Sequence, residues 1–123
     1  MAQKHILIVD DETTFRSMLK KLLESAGYRV SEAKNALAVF GVDAYDLMVL
    51  DIQMPGIDGH KILASLKEDK AHPAPIIILT GLADPAHREQ ALGEGADAFM
   101  TKPLSKELFL AKVTELLSRA PTR

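Results

Sequence analysis

The chain has 123 residues, 47% hydrophobic and 26% charged, with 15 basic against 17 acidic side chains and no cysteine. That size and composition predict one soluble domain over residues 1–123, with a core of about 4–119, and exclude a disordered or fibrous chain. The formal charge of -2 gives no electrostatic footprint for direct nucleic-acid binding, and the lack of cysteine excludes disulfides, thiolate metal sites and a cysteine nucleophile.

Strand-like and helix-like segments alternate along the chain. Ile6-Leu7-Ile8-Val9 is a continuous apolar run, and Phe15, Met18, Leu19, Leu22, Leu23 and Ala26 follow at the spacing of one helix face. Gly27 supplies the helix stop. A weaker strand near Arg29 to Ala33 and a short helix opened by Asn35 lead to a second strong run, Leu47-Met48-Val49-Leu50, and then to a loop from Asp51 to Gly59. A third helix runs from about Gly59 to Asp69, with Ile62, Leu63 and Leu66 inward, before the run Ile76-Ile77-Ile78-Leu79. Asp84-Pro85 has the chemistry of a helix start, and the helix it opens carries a poor apolar stripe that makes it the least firmly packed. Ala98-Phe99-Met100 is the last strand; Ser105 caps the final helix, Leu104 and Phe109 staple it, and Phe109, Val113, Leu116 and Leu117 form its inner face.

Apolar runs such as Ile6–Val9 fall far short of the roughly 20 residues a membrane helix needs, and Met1-Ala2-Gln3-Lys4 leads straight into the first of them. The expected location is the cytoplasm, with no membrane contact. Alternation of strand and helix predicts an α/β fold with a parallel sheet. The strongest runs belong in the middle and the weak second and fifth strands at the edges. The order 2-1-3-4-5 satisfies this: a doubly wound, flavodoxin-like (βα)5 sheet whose binding crevice lies beyond the carboxyl ends of strands one and three.

The residues at those ends carry the chemistry. Strand one ends in Asp10-Asp11, strand three in Asp51, strand four in Thr80, and Lys102 follows strand five. Carboxylates gathered so closely repel one another, so either some protonate or a cation joins them, and a hard divalent ion is the better answer at neutral pH. Ligation by oxygen without cysteine or paired histidine suits Mg²⁺. No histidine stands at a strand end, which argues against general acid–base hydrolysis. A carboxylate nucleophile attacking a phosphoryl group fits, because metal, lysine and a hydroxyl donor can neutralise the incoming charge. Gly81 leaves space for the phosphoryl group to enter.

At these residues the chain resembles the receiver domain of two-component response regulators, and is similar to the single-domain chemotaxis type. The likeness rests on Ile8-Val9-Asp10-Asp11-Glu12, on Asp51-Ile52-Gln53-Met54-Pro55-Gly56-Ile57-Asp58-Gly59, on Thr80-Gly81 and on Lys102-Pro103, in that order. The resemblance implies that Asp51 accepts a phosphoryl group from a phosphohistidine on a histidine kinase or histidine phosphotransfer protein. It implies Mg²⁺ ligation by Asp11, Asp51 and the Gln53 backbone carbonyl, with Asp10 acting through a bound water. Lys102 would hold one phosphoryl oxygen and Thr80 another. Thr80 and Phe99 would relay the change to a face made of helix four, strand five and helix five, altering affinity for an output protein or domain and allowing a phosphorylation-dependent homodimer. Phe99 lacks the hydroxyl of the tyrosine commoner there, so packing alone would separate its inward and outward states. The resemblance also implies a cis Lys102-Pro103 bond. The resemblance places Gln53 and Leu82 beside the phosphate, and a bulky Leu82 is expected to slow self-dephosphorylation. The domain would catalyse only its own phosphorylation and dephosphorylation.

Other readings compete. Asp10 and Asp11 could merely cap the first helix. An enzyme turning over an external phosphoester would need a substrate-capping element and a second acid or base, and neither is visible. An interaction module working without phosphorylation would keep the site unused. His5, His60, His72 and His87 lack ligand spacing and are expected at the surface.

Overall fold

The computed structural model describes residues 3–33, 45–54, 57–58, 74–81, 85–102 and 104–119. The expected second and third helices, with Leu82 and Pro103, lie outside these residues. Five parallel strands form one sheet: β1 (His5–Val9), β2 (Arg29–Ala33), β3 (Leu47–Leu50), β4 (Ile76–Thr80) and β5 (Ala98–Thr101), in the spatial order β2-β1-β3-β4-β5. This is the expected doubly wound arrangement. Every residue of β1, β3 and β4 is buried, while β2 and β5 expose part of their length, as edge strands do.

Strand alternation sorts the core into two layers. Ile6, Ile8, Leu47, Val49, Ile77 and Leu79 face one side, where α1 (Thr13–Ser25) adds Leu19 and Leu23 and α3 (Lys106–Arg119) adds Phe109, Val113 and Leu116. Leu7, Val9, Met48, Leu50, Ile76, Ile78 and Phe99 face the other, where α2 (Pro85–Gly93) buries Ala91 alone. That single alanine is the poor stripe the sequence predicts.

Local chemistry sets the helix ends. The Tyr28 N–H donates to the Leu23 carbonyl at 3.1 Å and the Gly27 N–H to that of Glu24 at 3.0 Å, a Schellman closure with Gly27 at a φ of 98°. Gly95 closes α2 in the same way, with Ala96 donating to Ala91 at 3.0 Å. At the start of α3 the Leu108 N–H reaches Ser105 Oγ at 3.4 Å, the expected cap. Ala26 differs from expectation: it lies past the last turn of α1, in the cap, and is exposed rather than on the inner face. The expected loop after Asp51 also contains more structure, because Gln53–Met54 pairs antiparallel with Ile57–Asp58. Pro55 and Gly56, residue types that favour tight turns, stand between the paired segments in sequence.

Neighbouring positions on α3 should therefore behave oppositely. Phe109 is fully buried and Leu108 is 66% exposed. Phe109→Ala should cost about 3–5 kcal/mol, and Leu108→Ala should stay within about 0.5 kcal/mol, measured by urea unfolding. Equal losses would contradict this packing.

Candidate functional site

The sheet itself positions the carboxylates. β1 and β3 pair from Ile6↔Leu47 to Val9↔Leu50, and one residue further the Asp51 N–H donates to the Val9 carbonyl at 3.0 Å. On the other side the Asp10 N–H donates to Ala33 at 3.1 Å. The two aspartates are thus held at the carboxyl ends of adjacent central strands, at 2% and 5% exposure. Asp10 Oδ1 accepts the Glu12 N–H at 2.9 Å, which turns the chain toward α1 and leaves Oδ2 for another partner. Helix capping does not explain these residues: Glu12 occupies the N-cap, with no side-chain cap bond, and the first turn holds no acidic residue.

The partner is Lys102. Its N–H donates to the Thr80 carbonyl at 2.8 Å, which continues the β4–β5 ladder and sends the side chain back over the carboxyl edge. The ammonium lies 3.0 Å from Asp10 Oδ2, 3.2 Å from Asp51 Oδ2 and 3.5 Å from Glu12 Oε1. It also sits 4.1 Å from the centroid of the Phe15 ring. Burial alone would lower the Lys102 pKa, but its bonds and attraction to Asp10 and Asp51 outweigh that and raise it. The side chain stays an ammonium at neutral pH. Burial pushes the Asp10 carboxyl above its ordinary value, held back by the Glu12 N–H and Lys102 and pushed further by Asp51.

Asp11 completes the cluster from an exposed position. One carboxylate oxygen from each of Asp10, Asp11 and Asp51 lies within 4.8 Å of the others. A hard divalent cation fits this oxygen-only donor set, which one ammonium cannot neutralise. Thr80 is fully buried and shares a sheet face with Phe99, at 9% exposure. The register Ile78↔Phe99 and Thr80↔Thr101 puts them on neighbouring strands. Gly81 is exposed directly after β4. Leu82 and the Gln53 side chain lie outside the described residues.

Three residues join the site without having been singled out for it. Glu12 reaches Lys102, Phe15 covers it, and Arg16 Nη1 donates to the Asp10 carbonyl at 2.6 Å while its Nε pairs with Glu32 at 3.1 Å. Their signal was position: all lie within one or two turns of Asp10-Asp11. His5 departs from the expected surface placement. It is 5% exposed at the far end of β1, where its ring meets Ser31 Oγ at 2.7 Å and Arg29 Nη2 at 3.1 Å, so the buried polar groups are satisfied.

Comparison with known proteins gives a consistent result. Residues 6–114 match the family model of the response regulator receiver domain. The transcriptional regulatory protein ResD of Bacillus subtilis is 41% identical over 119 residues, covering 94% of this chain and 48% of that protein. The phosphate regulon transcriptional regulatory protein PhoB of Pseudomonas aeruginosa is 40% identical over 123 residues, covering 97% of this chain and 54% of that protein. The chain therefore spans about half the length of these relatives. Among solved structures, a CheY-like response regulator receiver protein from Methanospirillum hungatei superposes with a TM-score of 0.89 at 32% identity, covering 97% of each chain. A two-component response regulator from Clostridium difficile gives 0.89 at 28% identity, over 98% of this chain and 100% of that one.

The electrostatics predict a stability cost at Asp10. The folded chain binds a proton there more tightly than the unfolded chain, so this group's contribution to stability rises as pH falls through its folded pKa. Asp10→Asn keeps Oδ1 as the acceptor for Glu12 and gives up the Oδ2 bond to Lys102, which retains Asp51 and Glu12 as partners, so no charge is orphaned. Without divalent ions at neutral pH, the variant should be more stable than wild type, because burial disfavours the ionised Asp10 carboxylate that it removes. The gap should narrow on acidification, as urea unfolding across pH would show. A less stable variant, or a gap indifferent to pH, would contradict this.

Proposed function

The chain belongs to the response regulator receiver domain family, and from that premise we propose that it is a phosphorylation-dependent switch whose phosphoacceptor is Asp51. The observation that carries this reading is the Lys102 ammonium held between the buried carboxylates of Asp10 and Asp51, with Asp11 beside them. An Asp51 carboxylate oxygen attacks phosphorus, the phosphorus–nitrogen bond of a phosphohistidine donor breaks, and the imidazole leaves. The donor is a histidine kinase or histidine phosphotransfer protein. Lys102 receives one phosphoryl oxygen, and the Thr80 hydroxyl donates to another. Asp11, Asp51 and the Gln53 backbone carbonyl would hold Mg²⁺, with Asp10 acting through a bound water. When bound, that ion would supply neutralisation of charge on the incoming phosphoryl oxygens. Gly81 leaves the entry open.

The response runs through one sheet face. Thr80 and Phe99 share it with α2, so a hydroxyl drawn toward the phosphoryl group frees space beside Phe99. The surface of α2, β5 and α3 then changes its affinity for an output partner or for a second copy of the chain. The domain acts on no external substrate and works in the cytoplasm; among the described residues no helix is long and apolar enough to cross a membrane. ResD and PhoB are named transcriptional regulators, and the output proposed here reaches transcription through another segment or protein rather than through direct nucleic-acid contact.

Intact mass after incubation with a small-molecule phosphodonor tests the acceptor. The expected result is one added phosphoryl group in wild type with Mg²⁺, none without it, and none in Asp51→Asn. A group gained equally by Asp51→Asn would sink the assignment. No gain with either a small donor or a phosphohistidine donor would favour an interaction module that works without phosphorylation.

A further inference from the structure

Phe15 stands at the first apolar position of the α1 face, where sequence spacing assigns it to the core. The structure gives it a divided role. Leu19 and Leu23, further along the same stripe, are fully buried, whereas Phe15 is only half-buried and turns part of its ring to the site. The Lys102 ammonium lies 4.1 Å from its ring centroid, well inside the roughly 6 Å over which a ring face attracts a cation.

We propose that Phe15 is a positioning residue: the face of its ring holds the Lys102 ammonium between Asp10 and Asp51, and so sets the rate of phosphoryl uptake. The inference rests on the phosphoacceptor reading of Asp51. A lysine ammonium is a compact charge on a flexible stem and needs a wall to stay in one place. Glu12 also draws the ammonium, from 3.5 Å, on a side chain 60% exposed and outside the buried pair. A further carboxylate in place of the ring would also attract the cation, but it would repel an arriving phosphoryl group. An aromatic face attracts the ammonium and adds no net charge to a site that already holds three carboxylates. Loss of the ring lets the ammonium drift from the position in which it meets a phosphoryl oxygen.

The test uses the full chain with Mg²⁺ and phosphoramidate as donor. Phenylalanine at position 15 is replaced by mono-, di- and trifluorinated phenylalanine, which weaken the ring's negative face at nearly constant size. Phe15→Leu and Phe15→Trp are made alongside. Uptake should slow stepwise with fluorination, fall about two- to five-fold in Phe15→Leu, and hold in Phe15→Trp. The Mg²⁺ dependence of the rate should not move. The Lys102 ε-methylene protons should show an upfield ring-current shift in wild type that Phe15→Leu abolishes. A rate indifferent to fluorination, or no upfield shift, overturns the inference and leaves the phosphoacceptor reading intact. A wild-type chain that takes up no phosphoryl group overturns both.

Discussion

Two nearly buried carboxylates share one ammonium at the carboxyl edge of the sheet, and the surrounding structure serves that contact. Asp10 and Asp51 reach it as direct extensions of β1 and β3, through backbone bonds that continue the ladder past Val9 and Leu50. Lys102 reaches it from the end of the edge strand β5, tied to Thr80 through its own N–H. No one of the three could be moved by a residue without turning its side chain to the opposite face, because strand side chains alternate. The apolar runs of β1, β3 and β4 therefore do more than fill a core: they fix the register on which the site depends.

The same contact leaves charge uncompensated. Lys102 answers two carboxylates, while Asp11 adds a third and Glu12 a fourth at the rim. Burial raises the pKa of Asp10, which marks the site as one where folding works against ionisation. Core packing elsewhere must carry that cost, through two apolar layers in which Leu19, Leu23 and Phe109 on one side and Leu7, Met48 and Ile78 on the other are fully buried. On the proposed reading the cost is the source of function: a pocket rich in carboxylates binds a divalent cation, and the cation with Lys102 admits an anionic phosphoryl group.

Much of this was legible from residue order. Ile6–Val9, Leu47–Leu50 and Ile76–Leu79 are continuous apolar runs because both their faces are covered, and that single fact placed them centrally and put β2 and β5 at the edges. Asp10, Asp11, Asp51 and Lys102 could be gathered because parallel strands deliver their ends to one edge. What escaped were features decided by side-chain reach rather than by period. Phe15 sits on an apolar stripe, and spacing cannot tell a ring that packs on Leu19 from one that also covers a lysine. His5 looked like a surface residue until Ser31 and Arg29 on the neighbouring strand supplied its partners. The paired segments Gln53–Met54 and Ile57–Asp58 were too short to show a period.

If the three carboxylates form a cation site, binding of the ion relieves their mutual repulsion and stabilises the fold. Urea unfolding of wild type and Asp51→Asn with increasing Mg²⁺, at constant ionic strength, tests it most directly. The wild-type midpoint should climb with Mg²⁺ as ligand binding to the folded state requires, with a much smaller climb in Asp51→Asn. A wild-type midpoint indifferent to Mg²⁺, or an equal rise in both proteins, would contradict it.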